Sequence, residues 1–349
     1  MGYHIPIQGI IRTGEIAIIR IKESGNSLLK PGRTGTNWLK KISHRKDAFG
    51  RTANDVFREH DVQVVDWCQE ADFGFSMYGN YVEDIPMKRC ILYKTEPPIY
   101  NLYFGVGLNR TKFLNQYMAV FSNSKVESNN YEHIHAPLDF YLGDKKIVDE
   151  YFDKPKDNLL CMMLRNKKTS MKINGFIPGL RKYNKYNLTP IRINYDKLFC
   201  NLLPNDYHSY GRGWDEKCFQ GERKSIVKTN YSPIVERFDV ISKYKFNFCP
   251  ENSCFYGYVT EKPFQSMLCG SVPLYIGAPD VEDILPTGTH IDVRQFGVNG
   301  LVEYIKNMSD KEYNGYRKRM KKFVTTEKSN IYSSYNFAQK LVKVLEENK

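Results

Sequence analysis

The sequence predicts an α/β protein of two domains, the second built on a parallel sheet. Three observations carry this. Residues 244–276 read as strand, helix, strand, the unit from which parallel sheets are made. The chain has 349 residues, enough for two cores at roughly 100–200 residues per domain. Residues 151–158 (Tyr-Phe-Asp-Lys-Pro-Lys-Asp-Asn) are polar and include Pro155, as suits a connection between domains.

The elements follow in chain order. Residues 62–67, 90–93 and 118–121 are short apolar runs read as strands, and residues 54–59 and 107–116 as helices. After the linker, residues 159–164 begin a new apolar strand. Residues 165–185 are basic and irregular, as in a loop insertion. Residues 244–248 alternate as a strand, and residues 251–257 are polar and turn-like. Thr260 is a candidate N-cap, Pro263 is tolerated in a first helical turn, and the helix should stop at Gly270. Residues 272–276 form a buried strand closed by Gly277-Ala278-Pro279, and residues 280–283 read as a helix start. Ser309 and Glu312 match a capping box opening a basic helix to about Val324. Phe337, Leu341, Val344 and Leu345 fall at helical spacing, which makes the last helix amphipathic. The expected division is therefore 1–155, 156–328, and a C-terminal amphipathic helix at 329–349.

Charge narrows the partners. Lys and Arg number 51 against 39 Asp and Glu, a net charge of +12, and aromatic residues make up 14%. That aromatic share excludes a disordered chain. The excess charge predicts an anionic partner: nucleic acid, an anionic membrane or a phosphorylated small molecule. No RNP, zinc-finger or helix-turn-helix signature supports nucleic acid. Residues 317–322 (Arg-Lys-Arg-Met-Lys-Lys) are its best footprint, and a solvated helix face explains them as well.

The longest apolar stretches fall far short of the ~20 residues that cross a bilayer. The N-terminus has no basic-then-apolar signal architecture, and Pro6 stands where a myristoylation signal needs Ser or Thr. The eight Cys form no CxxC pair, so no cysteine zinc site is expected, and reduced thiols in a cytoplasmic compartment are. Sequons at Asn109, Asn187, Asn230 and Asn307 carry no reading without a secretion signal.

Chemistry concentrates in residues 244–262. Glu261 and Lys262 stand at a predicted helix start. The free N–H groups and dipole there suit phosphate, and Lys adds a point charge. Glu261 beside it suits the paired hydroxyls of a ribose. A capped surface helix with an ordinary ion pair is the plainer reading of the same charges.

These residues also carry a resemblance. Tyr244-Lys245-Phe246, Glu251-Asn252-Ser253 and Tyr258-Val259-Thr260-Glu261-Lys262 closely resemble the donor-site signature of the family 10 glycosyltransferases, the α-1,3/1,4-fucosyltransferases. The likeness continues through Val272-Pro273 and Gly277-Ala278-Pro279 to residues 290–296, about 55 residues in all. Two shorter segments resemble the family as well: Pro190-Ile191-Arg192 with Tyr195 and Leu198, and Tyr93-Lys94-Thr95-Glu96-Pro97-Pro98. Departures are Pro250 before Glu-Asn and Pro263-Phe264 after the Lys. Residues 1–85 show no match.

The resemblance implies a GT-B fold, two Rossmann-like domains facing across a cleft. It implies inverting transfer of L-fucose from GDP-β-L-fucose to a hydroxyl of a glycan acceptor, with an α-1,3 linkage expected. Glu96 would be the general base. Read without the family, it is a loop carboxylate before a Pro-Pro turn. Arg192 and Lys262 would stabilise the diphosphate, Glu261 would bind ribose, and Asn252 and Tyr258 would add donor contacts, Tyr258 being otherwise a packing ring. Glu251, Ser253, Tyr210 and Arg212 are further donor-binding candidates. No Asp-x-Asp occurs, so no metal and no cofactor beyond GDP-fucose as co-substrate are expected. His208 and His290 read as structural. Family members from bacteria suggest peripheral membrane association. The alternatives are another GDP-sugar donor on the same fold, or a basic nucleic-acid-binding protein.

Overall fold

The structure is a computed structural model. It describes residues 18–23, 38–47, 49–66, 69–77, 82, 84–94, 110–135, 146–164, 184–211 and 234–349.

The first sheet collects β1 (Ile19–Glu23), α1 (Trp38–Ser43), α2 (Ala53–Glu59), β2 (Val62–Val65), β3 (Phe73–Met77), β4 (Cys90–Lys94), α3 (Arg110–Leu114), β5 (Ala119–Ser122) and β6 (Tyr131–His133). Its six strands run in the order β2-β1-β3-β4-β5-β6, all parallel. α2 starts where its sequence dictates. Thr52 Oγ1 accepts from Asp55 N–H, and the Asp55 carboxylate accepts from Thr52 N–H, a reciprocal cap.

The second sheet collects α4 (Lys146–Tyr151), β7 (Asn158–Met163), α5 (Thr189–Leu202), β8 (Tyr207–Tyr210), α6 (Ile234–Ile241), β9 (Tyr244–Pro250), α7 (Glu261–Leu268), β10 (Val272–Ile276), α8 (Val281–Ile284) and β11 (Ile291–Asp292). Its five strands run β11-β10-β9-β7-β8, again all parallel. Then come α9 (Val298–Asn307), α10 (Asp310–Val324) and α11 (Ser334–Glu347). Ser309 caps α10, accepting from Glu312 N–H.

The expected linker is tied to the second sheet. Val148, Tyr151 and Phe152 pack in the second core, so that core begins ahead of residue 155. Lys156 Nζ donates to the carbonyls of Ser242 and Cys269, both at 2.7 Å. These close the C-terminal ends of α6 and α7, where a cation suits the helix dipoles. Gly270 adopts φ +64, and a Cβ there would collide with the Phe152 carbonyl. Only glycine meets both demands.

The last helix, set apart in the sequence as its own segment, completes the first core. Phe337, Leu341 and Leu345 pack with Phe75, Tyr93 and Phe121 of the first sheet. The Phe337 ring meets Trp38 edge-on at 5.2 Å and Tyr93 at 5.4 Å. Arg51 pairs with Glu327 at 2.9 Å and lies over the Tyr335 ring. No helix among the described residues is long and apolar enough to cross a membrane.

Candidate donor-binding site

The site forms where β9 and β10 end, the edge at which open parallel sheets bind ligands. β9 delivers Glu251, α7 delivers Glu261 and Lys262, and the first turn of α5 delivers Arg192.

Glu251 is fully buried. Its carboxylate accepts from Thr260 N–H at 2.7 Å, from Thr260 Oγ1 at 2.8 Å and from Lys262 Nζ at 2.7 Å. Thr260 Oγ1 is also 2.7 Å from Lys262 Nζ. Thr260 thus faces Glu251 and makes no side-chain cap bond to the helix. The lattice fixes the Lys262 ammonium at the opening of α7. Gly277 leaves room for it, since a Cβ there would collide with the Tyr275 hydroxyl and meet Glu251 Cγ.

Burial alone pushes the Lys262 ammonium down, but Glu251 and Glu261 outweigh it and hold the group above its ordinary value. Burial likewise pushes the Glu261 carboxyl up. Lys262, its own N–H, Arg237 and Thr260 outweigh it, so Glu261 is held below the ordinary carboxylate value. Both groups are therefore ionised at neutral pH, with Lys262 4.0 Å from Glu261.

Arg192 is buried beneath the same loop. Its Nε donates to the Glu251 carbonyl at 2.9 Å, and one Nη donates to the Pro250 carbonyl at 2.8 Å and to Asn252 Oδ1 at 2.7 Å. It shapes residues 250–252 and adds positive charge beneath them. The Asn252 amide donates to the buried Tyr258 hydroxyl at 3.5 Å.

The structure therefore brings Arg192, Glu251, Asn252, Tyr258, Glu261 and Lys262 together. Ser253 joins through its backbone, bridging to Asn187, with its side chain fully buried. Tyr210 stands apart. It closes edge strand β8, two strand positions from β9, and its hydroxyl meets the Tyr244 hydroxyl at 2.7 Å. His208 bonds the same Tyr244 hydroxyl at 2.9 Å. Glu96 and Arg212 lie outside the described residues, as do residues 165–183 of the basic stretch. Among the described residues no three His, Cys, Asp or Glu converge as a metal site.

The sequence reading missed Thr260 as a lattice member, and it missed Gly257 and Asp280. Both Asp280 carboxylate oxygens accept from Gly257 N–H, at 2.9 and 3.0 Å. Gly257 itself has φ +77. The Tyr-Gly-Tyr run carried a signal for such a turn, because glycine between bulky residues often marks a left-handed position.

The turn at Gly257, after β9, touches the ends of β5 and β6. Lys125 N–H donates to the Tyr256 carbonyl at 2.9 Å. The carboxyl ends of the two parallel sheets thus face one another, which defines a GT-B fold. A solved α1,3-fucosyltransferase with GDP shares it at TM-score 0.56 and 14% identity, with 97% of this chain and 93% of that one covered. Residues 208–348, from within β8 through α11, match the model of glycosyltransferase family 10 (fucosyltransferase) C-term, and this stretch belongs to that family. An α-(1,3)-fucosyltransferase B of Drosophila melanogaster is 34% identical over 131 residues, 36% of this chain and 29% of the relative. A GDP-fucose protein O-fucosyltransferase 3 of Xenopus tropicalis is 38% identical over 266 residues, 68% of this chain and 51% of the relative. The chain thus spans between about three tenths and a half of the length of these relatives.

Proposed function

We propose that the protein is a fucosyltransferase that moves L-fucose from GDP-β-L-fucose to an acceptor hydroxyl with inversion at the anomeric carbon. The observation that carries this reading is the Lys262 ammonium, fixed by Glu251 and Thr260 at the N-terminus of α7, inside the stretch that matches the family 10 model.

The chemistry runs as a single displacement. The acceptor oxygen attacks C1 of fucose, the bond from C1 to the phosphate oxygen breaks, and GDP leaves with the electron pair. The acceptor proton passes to a carboxylate, the role we assign to Glu96 of the first domain. Charge gathers on the departing diphosphate. Lys262, the N–H groups opening α7 and the charge of Arg192 stabilise it without reorganising. Because the lattice already holds Lys262, no side-chain ordering is left for the moment of reaction. Glu261, ionised at this rim, suits the ribose hydroxyls. Leaving-group stabilisation by cations and N–H groups is the reason for proposing metal independence.

Two acceptor classes are favoured. A glycan hydroxyl follows the α-(1,3)-fucosyltransferase relative. A protein hydroxyl is favoured by the Xenopus relative, named as a protein O-fucosyltransferase, whose match runs over more of this chain. The test is incubation with labelled GDP-fucose, GDP-mannose and UDP-sugars against a glycan array and a Ser/Thr peptide library. NMR then assigns the anomeric configuration and linkage of any product. Fucose transfer from GDP-fucose with an α-linked product is expected. Turnover of another donor with none of GDP-fucose would overturn the reading.

A further inference from the structure

The groups that hold a nucleotide all belong to the second domain, yet the loop carrying them presses on the first. Between Asn252 and Thr260 the chain turns at Gly257. There the left-handed backbone is pinned by Asp280, which accepts the Gly257 N–H with both carboxylate oxygens. Asp280 follows the Gly277-Ala278-Pro279 turn at the end of β10. It anchors Gly257 to the same strand end that leaves room for Glu251.

On its other side Gly257 meets the first domain. A Cβ at this position would lie 2.7 Å from His133 Nε2 and 3.0 Å from the Asn123 carbonyl. His133 ends β6, and Asn123 directly follows β5. The backbone bond from Lys125 to Tyr256 runs alongside. Lys340 of α11 holds the His133 carbonyl at 2.8 Å, which fixes β6 from behind. His133 stacks edge-on with His135 at 4.7 Å, and His135 packs on Tyr332. The His133 Nε2 is buried, and the ring interacts with the backbone of Asn123 and Gly257. Its contact with the turn is close and partly polar, so the fit there depends on where Asp280 holds Gly257.

We propose that Asp280 is a positioning residue: by fixing the Gly257 N–H it seats the 255–258 turn against His133 and so sets the spacing between the nucleotide-holding loop and the first domain. This rests on the transfer reaction proposed above. In a displacement whose partners sit on two domains, an error of about 1 Å costs about a hundredfold in rate. Nucleotide binding needs only the second domain and is insensitive to that spacing.

The test uses the full chain with Asp280→Ala and Asp280→Asn, and with His133→Ala. Three quantities are read: GDP affinity by calorimetry, hydrogen exchange of residues 119–135, and the initial rate with GDP-fucose on the acceptor found by the panel. For Asp280→Ala we expect GDP affinity within about twofold, faster exchange at residues 131–135, and kcat lower by about tenfold to a hundredfold. His133→Ala, which empties the seat, should lower kcat in the same way. Asp280→Asn keeps one acceptor oxygen for Gly257 N–H and should restore most of kcat. Should Asp280→Ala fail to fold, Asp280→Asn and His133→Ala carry the test alone. Unchanged exchange at residues 131–135 in a folded variant, or GDP affinity falling by the same factor as kcat, overturns the proposal. Absence of any GDP binding by the unaltered protein would instead remove the donor reading and leave the exchange result standing.

Discussion

The two sheets are alike in topology and differ in how they are finished. Both are all-parallel, and both present their carboxyl ends to the seam between them. The second completes itself within residues 146–332, and its working end is braced by charge: Glu251, Thr260, Lys262 and Arg192 hold one another. The first closes its core with α11, which brings Phe337 in among Trp38, Phe75, Tyr93 and Phe121. A polar lattice tolerates no missing member, because each buried charge depends on its partner. An apolar core loses stability by degrees as contacts are removed. Damage to the second region should therefore appear first in the nucleotide, and damage to the first in stability or in the chemical step.

The largest expected effect separates the domains by role. Glu96→Gln should lower transfer by about 10²–10⁴-fold, the range for a lost general base, with GDP affinity unchanged by calorimetry. Equal loss of both would place Glu96 on the nucleotide side. Next, Lys262→Met leaves the buried Glu251 carboxylate without its cation. It should cost about 3–5 kcal/mol in denaturant unfolding as well as GDP affinity. Adding Glu251→Gln should return most of the stability and none of the affinity, which separates bracing from binding. A somewhat smaller loss, about 3 kcal/mol, is expected for Phe337→Ala, with GDP binding retained. If GDP binding is lost with it, the two cores are one cooperative unit.

The smallest effect is at the seam. Burial, with help from the charges of His133 and Lys340, pushes the His135 imidazolium down to about 3. The unfolded chain takes up this proton near pH 6.5 and the folded chain does not. Stability from this residue is thus fully present above about pH 6.5 and is lost as pH falls toward 3. The slope is at most about 1.4 kcal/mol per pH unit for one proton. Denaturant midpoints at pH 7 and pH 4.5 measure it. His135→Phe should flatten the difference, and an unchanged slope would assign the acid sensitivity elsewhere.

Much of the second domain was legible because its signals are local. The apolar residues of β9 and β10, Pro263 in a first turn and Gly270 as a stop all act within a few positions. α7 and its neighbouring strands follow from them closely. β8 (Tyr-His-Ser-Tyr) carries no such pattern, because its polar groups pair with Tyr244 on a distant strand. β1 was hidden for a like reason, since it ends in Lys22 and Glu23, charged residues that are nevertheless buried. The site residues were legible as types, through their motif. Their partners were not. Arg192 reads as a phosphate cation, and only the fold shows its guanidinium on carbonyls 58 and 59 positions away. Asp280 reads as a helix start because its use, the Gly257 N–H, lies 23 residues back across a strand and a helix.

The return of α11 to the first core also bears on the order of events during synthesis. β6 ends at residue 133, and α11 begins at residue 334. A ribosome adding about 5–20 residues per second needs roughly ten seconds or more to cover that interval. The first sheet must wait through it with Phe75, Tyr93 and Phe121 uncovered, while the second domain, wholly encoded in between, folds to completion. Chaperone capture during translation should accordingly fall on the first sheet and end when α11 emerges from the exit tunnel.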